Sequence, residues 1–229
     1  MIDKDLILEH KKECEDRAGK FLPDISEVIN KPENVCPVQQ ALEIVRKCRA
    51  EACGQSVPCR DGLWQAELLI EAISNGKAEG ETTIATLKDV MSYMEVIGCD
   101  FSSGCAKLIL ESLNRYGDEW ELHAKRHRCT ALRCTEYFSV YIDPAVCKGC
   151  DICRGKAPDG AILGEKGQIH VVKNDSELKS DEFIAVCPNG AIKKFSGMVK
   201  PKVPDAPVPV GSFGAAAGGA GGGRRRRRG

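Results

Sequence analysis

The chain has 229 residues, 42% of them apolar, and 33 basic against 33 acidic side chains, so its formal net charge is zero. No apolar run approaches the ~20 residues of a membrane span. Met1-Ile2-Asp3-Lys4-Asp5 lacks the basic start and apolar core of a secretory leader, so a cytoplasmic protein without a membrane partner is expected. The charge is unevenly spread: residues 224–228 are five consecutive arginines, and the remainder carries about −5. A nucleic-acid binder usually places its basic charge on the folded part, so nucleic acid is not the expected partner.

The first 35 residues are charged and weakly patterned, with one helical stretch near residues 6–21. Cys14 sits there with no cysteine nearby in sequence and reads as a plain thiol. From 36 to 127 the apolar period is helical. Val38, Ala41, Leu42 and Val45 share one face; Leu63, Ala66, Leu69, Ile70 and Ile73 share a second, stopped at Asn75-Gly76. Ile84, Leu87, Met91 and Met94 form a third stripe, started by Thr82 and Thr83 and stopped by Gly98. Ala106, Ile109, Leu110 and Leu113 form a fourth, ended by Gly117. Short connections favour antiparallel neighbours, so 36–127 reads as a small four-helix bundle. Trp64 and Trp120 read as packing residues. A linker follows at 128–138. Residues 139–198 then change to short β-like runs between Gly, Pro and Asp punctuation. Residues 199–229, rich in Pro, Ala, Gly and Arg, read as a disordered tail. The expected class is α+β.

Thirteen cysteines, an odd number, argue for metal or iron–sulfur chemistry over a closed disulfide set in a cytosolic chain. Cys147-Lys-Gly-Cys150-Asp-Ile-Cys153 spaces three thiols three residues apart, and Cys187-Pro188 offers a fourth. In a tight loop that spacing serves three iron corners of one cube. An internal repeat agrees: Ala157-Pro158-Asp159-Gly160-Ala161-Ile162 matches Cys187-Pro188-Asn189-Gly190-Ala191-Ile192 at an offset of 30 residues. Projected by the same offset, the three cysteines fall on Glu177, Ser180 and Phe183, and Ala157 stands where the first half would have its own Cys-Pro. One ligand set is whole and the other is missing whole. The region resembles the bacterial ferredoxins, which implies one four-iron four-sulfur cluster on Cys147, Cys150, Cys153 and Cys187. Zinc on the same thiols is the competing reading, but zinc sites usually pair CxxC with CxxC.

Ala52-Cys53-Gly54-Gln55-Ser56-Val57-Pro58-Cys59-Arg60-Asp61-Gly62 resembles the iron–sulfur motif of the NADH-binding flavoprotein subunits of complex I and of electron-bifurcating [FeFe]-hydrogenases. Cys99 fits that family's fourth cysteine, and the segment 113–123 is similar to its closing helix. The resemblance covers roughly 35–195. It implies a second cluster on Cys53, position 56, Cys59 and Cys99, but Ser56 replaces a cysteine, and a serine hydroxyl is far harder to deprotonate than a thiol. Three outcomes stay open: an oxygen ligand from Ser56 or elsewhere, a rescue by Cys48 or Cys105, or no bundle cluster. Arg60 reads equally as a donor to a cluster edge or as a surface charge.

The resemblance further implies a zinc ion held by Cys36, His123, Cys129 and Cys134, with His127 the rival of His123. Such a Cys₃His set is a common closed tetrahedron, and it would tie the bundle's start to the linker. The family's flavin- and NADH-binding region would precede residue 36, and 35 residues cannot hold it, so neither FMN nor NAD is expected on this chain. The implied function is an electron-transfer subunit that passes single electrons between flavin-binding or hydrogenase-like partner subunits and is not catalytic alone. A structural adaptor with a degenerate bundle cluster is the alternative. A redox or iron sensor using the arginine run on nucleic acid is a third, weaker reading.

Overall fold

The computed structural model describes residues 4–197 and 200–214. The arginine run at 224–228 lies outside them. The protein is α+β: eight α-helices and three two-stranded antiparallel sheets among the described residues. It divides into two units, residues 1–138 and 139–229.

The first unit is helical. α3 (Pro37–Glu51), α4 (Leu63–Ser74), α5 (Glu81–Ile97) and α6 (Asp100–Arg115) pack around one core. Each stripe read from the period supplies it: Val38, Ala41, Leu42 and Val45; Leu63, Ala66, Ile70 and Ile73; Ile84, Leu87, Met91 and Met94; Ala106, Ile109 and Leu113 are all buried, and Leu69 and Leu110 partly so. α7 (Gly117–Arg126) closes the core with Trp120, whose indole N–H donates to Ser112 Oγ at 3.3 Å.

The unit extends past the four helices at both ends. α1 (Lys4–Phe21) packs on α6 and α3, and α2 (Ile25–Ile29) on α6. α2 starts with a full capping box from Asp24 and Glu27. The segment 128–138 folds with the helices as well. Tyr137 is buried in the core cluster; its hydroxyl donates to the Ile73 carbonyl and accepts the Gly76 N–H at 2.8 Å, closing the end of α4. Trp64 departs from its reading as a packing residue, being 51% exposed. It stands on the polar side of α4 near the mouth of the Cys53–Cys59 loop.

The second unit is built on loops. β1 (Ser139–Ile142) pairs with β5 (Ile192–Phe195), Ser139 facing Phe195 and Ile142 facing Ile192. β2 (Ile162–Leu163) pairs with β4 (Val171–Val172). β3 (Gln168–Ile169) pairs with β6 (Val208–Pro209). α8 (Asp181–Ile184) is capped by Ser180, whose hydroxyl accepts the Phe183 N–H. β6 corrects the expectation of disorder over 199–229. Within 200–214, composition alone gives too little apolar area for a core, but the chain borrows a sheet edge: Val208 and Pro209 sit on β3, and Val210 N–H donates to Gly167 O at 3.1 Å.

The internal repeat is a structural repeat. Gly160 and Gly190 both adopt left-handed φ (76° and 64°), and each precedes a buried Ala-Ile pair that enters a strand. A turn of this kind favours glycine, which alone pays no Cβ penalty there.

Trp120 offers a direct test of the helical core. Its replacement by alanine should cost about 3–5 kcal/mol, read as a lower urea midpoint of the full chain with the slope unchanged.

Candidate metal and iron–sulfur centres

The tightest grouping is at one end of the helical unit. The ligand atoms of Cys36, His123, Cys129 and Cys134 all lie within 4.8 Å of one another, and all four residues are buried. Cys36 precedes Pro37 at the start of α3. Its Sγ is 3.2 Å from His123 Nε2 and 3.7 Å from Cys134 Sγ. Sulfurs bound to one zinc at about 2.3 Å sit about 3.8 Å apart in a tetrahedron, so this set matches a single ion. His123 Nδ1 donates to the Glu119 carbonyl at 2.7 Å. That bond fixes the tautomer and leaves Nε2 as the free donor atom, as orienting carbonyls do at metal sites. Arg133 N–H donates to Cys129 Sγ. His127 is not in the group: its φ is left-handed at 48° and its ring lies against Tyr137.

The electrostatics fit a group made to lose protons. Burial pushes the His123 imidazolium down, but hydrogen bonds to Cys129 and Cys36 outweigh it and raise its pKa to about 10. The Cys129 thiol is held far below its ordinary value, chiefly by hydrogen bonds from Cys134 and Cys36. Cys134 is pushed up as the donor in that bond. A thiolate beside a buried imidazolium is an ion pair that a metal can replace.

The second grouping lies around the Cys53–Cys59 loop. After α3 the chain turns through Gly54 (φ 70°) into a π-turn over Pro58–Gly62, closed by Leu63 N–H on Pro58 O. Single π-turns often mark functional positions because they rotate one side chain out of register. Here Cys59 is aimed at the start of α6, where Cys99 is the N-cap residue. The two sulfurs are 3.3 Å apart. Gly98 allows this: a Cβ there would meet Met94 O at 2.4 Å and Ser102 Oγ at 2.5 Å. Cys99 is pulled down to about 4 by the Cys59 hydrogen bond, with Ser102 adding to it against burial; Cys59 is pushed up for the converse reason. Ser56 is turned onto Cys59, accepting its N–H at 3.4 Å and hydrogen-bonding its sulfur. Arg60 forks onto Asp61 at 2.9 and 3.1 Å.

Two residues that sequence reading left out join this group. His10 Nε2 is 3.3 Å from Cys53 Sγ and 3.8 Å from Cys14 Sγ, and the three ligand atoms form a compact set. Burial, with Cys99 and Cys53 beside it, pushes the Cys14 thiol up to about 12. The reading of Cys14 as a plain thiol is therefore corrected: α1 carries it to residues 39 and 85 positions away. The i,i+4 spacing of His10 and Cys14 was the only signal. Cys48 and Cys105 are both buried in the core, and the neighbouring Cys48 together with burial pushes the Cys105 thiol up.

The third grouping is in the second unit. Cys147, Cys150 and Cys187 all lie close enough to Cys153 to act on its charge, and burial first, then these neighbours, raise its pKa to about 11. The loop is shaped by its backbone. Cys147 N–H bonds Asp143 O at 2.9 Å, and Lys193 anchors the Asp143 carboxylate at 2.6 Å. Gly149 (φ 63°) presses on the β3 turn, where a Cβ would meet Gln168 O at 2.7 Å. Asp151, also left-handed, accepts from Arg154 at 2.7 and 2.6 Å and from buried His170 at 2.8 Å. Ala191 N–H donates to Cys187 Sγ at 3.3 Å; an amide aimed at a sulfur stabilises its thiolate. In the other half of the repeat, Phe183 fills the position projected from Cys153 and is buried. An apolar ring occupies that position.

No described helix is long and apolar enough to cross a membrane. Residues 39–123 match the family model of the NADH-ubiquinone oxidoreductase-F iron-sulfur binding region. The chain is 31% identical over 142 residues to the NADP-reducing hydrogenase subunit HndC of Solidesulfovibrio fructosivorans, an alignment covering 60% of this chain and 28% of that protein. It is 28% identical over 89 residues to the F subunit of the Aquifex aeolicus NADH-quinone oxidoreductase, covering 39% and 21%. Against the F subunit of the Mycobacterium tuberculosis NADH-quinone oxidoreductase it is 24% identical over 97 residues, covering 42% and 22%. The chain thus spans about a quarter of the length of the curated relatives it matches. The loop at Cys53–Cys59 and the facing Cys99 fall inside 39–123, the segment that is similar to the iron–sulfur binding region of NADH-quinone oxidoreductase F subunits.

Proposed function

We propose that this chain is an electron-transfer subunit of a multi-subunit NADH dehydrogenase- or hydrogenase-like oxidoreductase. Cys147, Cys150, Cys153 and Cys187 hold one four-iron four-sulfur cluster, and Cys36, His123, Cys129 and Cys134 hold a structural zinc. Flavin, nicotinamide or hydrogen chemistry belongs to partner subunits of the kind the relatives' names describe. The observation that carries the reading is the conjunction of two sulfur-rich centres in one chain: an iron–sulfur region of the F-subunit type, and a loop in the second unit where four cysteines converge on shaped backbone. The cluster supplies one-electron redox chemistry. The residues do the rest. Gly149 lets the loop close on β3, Asp151 fastens it to Arg154 and His170, and Ala191 N–H donates to Cys187, where amide hydrogen bonds to sulfur are among the levers on potential.

Ser56 keeps the adaptor reading in view, because an iron–sulfur region with three motif thiols serves assembly as well as conduction. Electron flow decides between them. In the assembled complex, Cys187→Ala should lose about four irons per chain, with the matching loss of acid-labile sulfide, and should slow electron transfer at least tenfold. Full electron flow in that variant would sink the relay and leave the adaptor.

The zinc set makes a separate prediction. The full chain should carry about one zinc, and His123→Ala should lose it while keeping its iron. Zinc ligands must be deprotonated, so zinc should leave as pH falls and the thiolates protonate. Chelation should lower the thermal midpoint of the helical unit. An unchanged zinc content in His123→Ala would rule this set out.

A further inference from the structure

The bundle's iron–sulfur region has three motif thiols and a serine, yet the described structure gathers four thiols there. α1 explains the fourth. Among its described side chains only Cys14 is fully buried, at 1% exposure, while Ile7 and Leu8 on the same helix stand more than half exposed. Beside Cys14, Ala18 and Phe21 pack partly against the core, so the thiol is the most deeply buried group of the docked face. The helix's other fastenings surround the thiol. Arg17 donates to Glu51 O at 2.6 Å, capping the end of α3 just before Cys53, and Leu22 lies so close to Gly104 that a Cβ there would meet it at 2.5 Å. α1 is thereby laid across the Cys53–Cys59 loop with His10 and Cys14, one turn apart, directed into it.

Two contacts meet at this loop: His10, Cys14 and Cys53 form one compact group, and Cys59 and Cys99 touch each other, with Cys99 near enough to Cys14 to act on its charge. Ser56 lies at their edge, bonded to Cys59. The chemistry ranks the two candidates. An ordinary thiol titrates near 8.5 and gives a soft thiolate suited to iron–sulfur ligation, whereas a serine hydroxyl stays protonated in that range. Arg49, Gly54, Arg60 and Trp64 line an adjoining cavity of about 360 Å³ beside Cys59, so the loop has space into which the sulfurs can separate by side-chain rotation.

We propose that Cys14 is the fourth thiolate ligand of the bundle's iron–sulfur site, standing in for Ser56 beside Cys53, Cys59 and Cys99. His10 is a positioning residue that hydrogen-bonds Cys53. Each thiol gives up its proton on binding, and α1 becomes fastened to the loop through the metal site. The inference rests on reading 39–123 as an iron–sulfur region, and it stands or falls separately from the relay through Cys187.

The experiment is iron, acid-labile sulfide and zinc per chain on the anaerobically reconstituted full-length protein, with EPR after reduction and hydrogen exchange across α1. Wild type should hold about eight irons. Cys14→Ala should lose about four of them and the slow exchange of α1 that iron loading brings, while Ser56→Ala should lose neither. Adding Ser56→Cys to Cys14→Ala should restore the iron, which shows that the fold survived and only the ligand was missing. Cys187→Ala should remove the other four irons independently, so a relay that fails and a Cys14 ligand that fails give different counts. Retention of all iron in Cys14→Ala overturns the proposal. So does loss of iron in Ser56→Ala, loss that Ser56→Cys cannot restore, or zinc in place of iron on His10, Cys14 and Cys53.

Discussion

The path of the helical unit depends on four buried ligand atoms. Cys36 starts α3, His123 ends α7, and Cys129 and Cys134 close the turn that follows. Burying thiolate and imidazolium groups is expensive unless they are paired or bound to a metal. Here each partner is within reach of the others, and the surrounding backbone also contributes through Glu119 O and Arg133 N–H. Tyr137 follows immediately and locks onto Ile73 and Gly76. The segment 128–138 therefore finishes the core, sealing the end of α4 against the end of α7.

At the motif loop, backbone geometry precedes chemistry. The π-turn over Pro58–Gly62 rotates Cys59 toward Cys99, and Gly62 and Gly98 remove the side chains that would collide with Met94. These glycines are not there for flexibility: φ is negative at both and within reach of any residue. A Cβ at Gly62 would meet the Met94 side chain, and one at Gly98 the Met94 carbonyl and the Ser102 hydroxyl. A similar constraint holds in the second unit at Gly149, where left-handed φ and close approach to Gln168 coincide. In both units a ligand loop is held against a neighbouring element at a residue without a Cβ.

Much of this was legible from residue order alone. The apolar stripes of α3 to α6 mark one face each because the period of a helix is a local property. The Cys147–Cys153 loop and the offset repeat carry their geometry in spacing, and the matched turns at Gly160 and Gly190 express it. The unread parts depend on what lies across space. β6 has only two paired residues, too short for a pattern, and it forms because β3 offers an edge. Trp64 is apolar by type but lies outside the buried stripe of α4, and it stays exposed. Cys14 gave little signal beyond its i,i+4 spacing from His10, because its neighbours Cys53 and Cys99 lie far along the chain and Ile7 and Leu8 of α1 stay exposed.

The cysteine inventory then closes. Of thirteen, four converge in the second unit, three join His123, and two, Cys48 and Cys105, are neighbours in the core. Four remain, Cys14 grouped with Cys53 and Cys59 touching Cys99. The odd total argued against disulfides from the start, and it is resolved by one histidine completing a set of three thiols. Moving a ligand from the motif loop to a separate helix also changes what the site does for the fold. Three thiols within residues 53–99 secure only the bundle. A fourth on α1 makes the docking of an otherwise polar helix conditional on the site, coupling N-terminal order to metal content.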